Sequence, residues 1–86
     1  MIDQTLLTDI PEETWRSVIA GLSAAGWSVQ LGGGLDFSWA SLTFDEMRIN
    51  MEYDIWREGE MTFATVHGPK IKGALSSDLL AQFDRG

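Results

Sequence analysis

The chain contains no cysteine. No disulfide can staple it, and no thiolate metal site can form. Basic residues are scarce: 6 Lys and Arg stand against 13 Asp and Glu, for a formal charge of −7. With no basic run there is little to neutralise phosphates, so direct nucleic-acid binding is not expected. The same charge would repel an anionic membrane. No apolar stretch approaches the roughly 20 residues of a membrane span. The opening residues, Met1-Ile2-Asp3-Gln4, lack the basic flank and apolar run of a signal peptide. The expectation is a cytoplasmic, bacterial-type protein, and the lack of cysteine is compatible with that compartment.

Catalytic signals are equally sparse. His67 is the one histidine, and no Ser or Cys motif accompanies it at a catalytic spacing. Glu52 and Asp54 stand two apart, a spacing open to a hard-cation or acid/base pair, but alternating polar residues are what a solvated sheet face requires in any case. Gly32-Gly33-Gly34 is not followed by Lys-Ser or Lys-Thr, nor by a helix start, so it reads as a turn and not a phosphate loop. No catalytic residue, metal or cofactor is assigned.

What the chain does have is a centre. Residues 35–67 read as three consecutive strands. Over 47–55 the odd positions are Met47, Ile49, Met51, Tyr53 and Ile55, and the even ones are Arg48, Asn50, Glu52 and Asp54. Such alternation marks a strand with one buried and one wet face. A two-residue Asp45-Glu46 turn before it pairs Phe44 with Met47 and Leu42 with Ile49. A three-residue Arg57-Glu58-Gly59 turn after it sets Ile55 against Met61 and Tyr53 against Phe63, apolar with apolar.

Around this centre the chain reads as helix, sheet, helix. Residues 1–8 form a lead-in, with Ile2, Leu6 and Leu7 available to pack. Asp9 and Glu12 have capping-box spacing, with Pro11 in the first turn. The helix ends near Ala25, stopped by Gly26, and buries Trp15, Val18, Ile19 and Leu22. Gly21 in its middle implies a close packing contact. Residues 27–31 alternate as a first strand, and the glycine run turns the chain. Gly68-Pro69 ends the sheet. Residues 70–74 are a loop with Ile71 beneath it. Ser76 or Ser77 caps a last helix that reaches Phe83 or Asp84 and buries Leu79, Leu80 and Phe83.

The fold class is therefore α+β: an N-terminal helix, a four-stranded antiparallel meander and a short C-terminal helix. It forms one domain over residues 1–86. A chain this small and free of staples gains from dimerisation, so a homodimer is expected.

One conflict of phase bears on function. If Leu42 and Phe44 share the face of Ile49, then Leu35, Phe37 and Trp39 fall on the opposite face, near Trp56. Either a bulge at Ala40-Ser41 returns them to the core, or the sheet is apolar on both sides. In the second case Leu35, Phe37, Trp39 and Trp56 form an interaction surface, rimmed by acidic residues that favour a basic protein partner. Two other readings remain. One is an inhibitor or immunity-type protein that covers a basic nucleic-acid-binding site. The other is a small-molecule binder or minor enzyme with a sheet–helix pocket near Tyr53 and His67.

Overall fold

The computed structural model describes the backbone of residues 3–85 and the side chains of residues 3–83. Five strands form one antiparallel sheet: β1 (Gln4–Ile10), β2 (Ser28–Gly33), β3 (Phe37–Phe44), β4 (Met47–Asp54) and β5 (Glu58–Ala64). Their spatial order is β1-β5-β4-β3-β2. Helix α1 (Glu12–Ala24) joins β1 to β2. After β5 come a 3-10 turn (Thr65–His67), the single-turn helix α2 (Gly68–Ile71), a second 3-10 turn (Lys72–Ala74) and helix α3 (Ser77–Arg85). The class is the expected α+β, with five strands where four were read. No helix among the described residues is long and apolar enough to cross a membrane.

The extra strand is the lead-in. Leu7 pairs with Met61 and Leu6 with Thr62, so β1 is an edge strand. Leu7 and Ile10 are buried, while Leu6 stays exposed on the other face. The packing expected of Ile2 lies outside the described residues. Because β1 runs through Ile10, Asp9 is still in the strand, at φ 56, and does not cap α1. The helix starts one residue after Pro11 with no side-chain cap, and the Trp15 N–H bonds the Pro11 carbonyl at 2.8 Å. Its end is as read. Gly26 takes φ 104, and the Trp27 N–H reaches back to the Leu22 carbonyl at 3.0 Å, a Schellman closure.

The core fills one side of the sheet. Trp15, Val18 and Leu22 of α1, Ile71 of α2 and Leu79 of α3 meet Leu42, Ile49, Met51, Met61 and Phe63. Leu80 and Phe83 pack partly, with Phe83 stacked on Phe63 at 5.9 Å between centroids. Ser76 caps α3 by accepting the Leu79 N–H at 3.4 Å. The expected loop at 70–74 is helical instead: Pro69 sits in the first turn of α2, where its missing N–H has no partner to lose.

Two turns lie elsewhere than the sequence pattern suggests. Gly32 and Gly33 belong to β2, and the connection to β3 is Gly34, Leu35 and Asp36. Between β4 and β5 the register is Tyr53 with Gly59 and Met51 with Met61, not Tyr53 with Phe63. Ile55, Trp56 and Arg57 form the turn, and Glu58 takes the left-handed position at φ 63. Gly59 has another task. A Cβ there would meet Trp15 Cδ1 at 2.6 Å and the Ile10 carbonyl oxygen at 2.9 Å. The glycine is a seat for the Trp15 ring inside the sheet. The Asp45-Glu46 turn forms as read, with Phe44 opposite Met47, Leu42 opposite Ile49 and Trp39 opposite Glu52.

Candidate functional site

Strand β3 decides the phase conflict. Its pairing with β4 is unbroken from Phe37 with Asp54 to Phe44 with Met47, so there is no bulge at Ala40-Ser41. Ala40 and Leu42 therefore point into the core and are buried. Phe37 and Trp39 point the other way, onto a face that carries Glu52, Asp54, Asn50 and Arg48 from β4. Both aromatics keep 39% of their surface exposed. The sheet is covered on one side and open on the other.

Trp39 is held on that open face by β2. A Cβ at Gly32 would overlap the Trp39 ring, and Gly32 is the cross-strand partner of Trp39. The indole thus lies over a bare backbone, which fixes its orientation and leaves its outer surface presented. Leu35 and Trp56 lie in the two loops beyond the same end of the sheet. Leu35 is fully exposed and Trp56 is 82% exposed. The Ile55 N–H donates to the Asp36 carbonyl at 3.4 Å, which ties one loop to the other. The Trp56 N–H donates to Asp54 Oδ1 at 2.7 Å and the Arg57 N–H to the Asp54 carbonyl at 3.1 Å. Asp54 therefore shapes the turn that carries Trp56. All four residues expected at an interaction surface come to this end.

The charges there are mostly of one sign. Asp36, Glu52, Asp54, Glu58 and Glu60 belong to these strands and loops, and Arg57 is the basic residue in the turn. Glu52 stands directly opposite both Trp39 and Glu60. Like charges facing each other across strands cost stability, so this arrangement is not one the fold alone asks for. Ile55, 53% exposed in the same turn, adds to the apolar area. The alternation of residues 47–55 puts it on a strand face, but β4 ends at Asp54 and the observed register places it in the turn.

The second site expected from sequence is a sheet–helix pocket near Tyr53 and His67. His67 lines an open hollow of about 660 Å³ with Asp45, Glu46, Met47, Val66, Pro69 and Lys70. Its Nδ1 is buried and finds no hydrogen-bond partner among the described residues. Tyr53 instead packs against Trp15, with ring centroids 5.9 Å apart. Met47 and Tyr53 are at opposite ends of β4, roughly 20 Å apart along an extended strand. The hollow lined by His67 does not include Tyr53. Among the described residues no group of three or more His, Asp or Glu is placed to hold a metal ion.

The chain matches no protein-family model, no curated protein and no solved structure.

Proposed function

We propose that this chain is a protein–protein interaction module that takes a basic protein partner on the acidic, aromatic end of its open sheet face. The observation that carries this reading is the uninterrupted register of β3. It leaves Phe37 and Trp39 39% exposed on the side opposite the helix-packed core of the described residues. A flat aromatic surface with a rigidly seated indole suits burial as a central anchor. The surrounding carboxylates would steer a cationic partner during encounter and disfavour acidic ones. Lys or Arg of the partner would also find the faces of Trp39 and Trp56 available for cation–π contact.

The test is partner retention on immobilised protein, comparing wild type with Trp39→Ala and Glu52→Lys. The reading expects a partner held by wild type, lost by Trp39→Ala, weakened by Glu52→Lys and released as salt rises. A partner held equally by all three folded proteins would contradict it. Competition by nucleic acid for the retained partner would narrow the reading to an inhibitor that covers a nucleic-acid-binding site.

A further inference from the structure

We infer that the chain self-associates through the free edge of β2, with two copies joined antiparallel into one ten-stranded sheet. The two edges of the sheet are treated differently. On β1 the pairing is interrupted between Leu7 and Ile10, Asp9 stands at φ 56, and the Gln82 amide occupies both the N–H and the carbonyl of Thr8, at 3.0 and 2.7 Å. These are the devices that keep an edge strand from pairing. β2 has no such interruption or side-chain clip among the described residues, and its one positive φ, Gly33 at 142, lies at its last residue beside the turn. Its sequence is Ser-Val-Gln-Leu-Gly-Gly, with no charge and no proline, and its register with β3 is unbroken.

The backbone groups left over have a definite phase. The Gly34 N–H donates to the Phe37 carbonyl at 2.8 Å. By antiparallel alternation Gln30 and Gly32 turn their backbone groups toward β3, and Val29 and Leu31 turn theirs outward. A two-fold axis through Gln30 then sets Val29 of one copy against Leu31 of the other, twice, with their outward groups bonded and their side chains on the helix side. On that side Val29 and Leu31 border a hollow of about 410 Å³ shared with Ile19, Ala20 and Ser23 of α1. Leu31 is 63% exposed there. The one charge in the hollow, Arg16, is paired within its own helix to Glu12 at 3.0 Å.

Charge selects a second copy as the occupant. In a chain of net charge −7, residues 17–35 carry no charged side chain. Two copies can meet along β2 and α1 without setting carboxylate against carboxylate. Meeting through the aromatic end would oppose Glu52, Asp54, Glu58 and Glu60 to themselves. The β2 pairing would also place the two Trp39 residues on one continuous face, three strand spacings across and four residues along, or about 20 Å apart. This inference stands apart from the partner reading, because Leu31 and Trp39 point to opposite faces.

The experiment is molar mass by light scattering over a dilution series for wild type and Leu31→Lys, with amide exchange of the wild-type protein at both ends of the series. The expected result is a wild-type dimer, a monomer for Leu31→Lys at every concentration, and Val29 and Leu31 amides that exchange more slowly as concentration rises. A wild-type monomer throughout, a dimer that Leu31→Lys leaves intact, or a dimer whose Val29 and Leu31 amides stay as fast as in the dilute protein would overturn it. Should Leu31→Lys fail to fold, the wild-type mass and amide exchange decide alone.

Discussion

Two glycines of this chain should answer an added methyl group in opposite ways. At Gly59 the methyl would enter the Trp15 ring and approach the Ile10 carbonyl. Neither can withdraw, since both residues are buried. Gly59→Ala is expected to destabilise the protein by about 1–3 kcal/mol, the usual range for overpacking. At Gly21 the methyl would meet the Ala74 Cβ at 3.7 Å, an ordinary contact. The close approach expected there from sequence is absent. Gly21→Ala should therefore stabilise the helix by about 0.5–1 kcal/mol. Denaturant midpoints of the two variants check both signs. The pair also shows what a sequence hides at this scale. A glycine before a strand reads equally as a turn residue or as a packing seat, and only Trp15, 44 positions away in the chain, distinguishes them.

At the scale of elements, β4 was legible because its alternation is strict, and α1 because its apolar stripe keeps helical spacing. β1 was not, because Gln-Thr-Leu-Leu-Thr-Asp-Ile does not alternate. Its irregularity is the bulge between Leu7 and Ile10, which breaks the period of two that a strand is recognised by. The contact that then fastens β1 is long-range: Gln82 of α3 bonds both backbone groups of Thr8. Gln82→Ala should cost about 1–2 kcal/mol for two part-buried hydrogen bonds, and it should speed amide exchange at Thr8 while leaving β4 protected. Equal loss of protection in both strands would mean that the clip is not local. The open face was legible as an alternative, since the phases of Leu42 and Trp39 could not both be core without a bulge. Which alternative holds depends on where the helices lie, and that is a tertiary fact.

Over the whole molecule, the division of labour follows from one-sided covering. Helices α1, α2 and α3 supply core partners to one face. The other face is left with Phe37, Trp39 and a set of carboxylates, and Trp56 stands exposed in the loop at the same end. The net charge of −7 makes that end attractive to cations and repulsive to a second copy, so partner affinity is expected to fall as salt screens it. The uncharged β2 edge is free of that penalty. The most direct measurement is an amide-resolved NMR titration of isotope-labelled protein with a basic protein captured on it. Shifts are expected to concentrate at Phe37, Trp39, Asp54 and Trp56, with α1 and α3 unmoved. Shifts confined to the helical side, with those four residues silent, would contradict the partner reading.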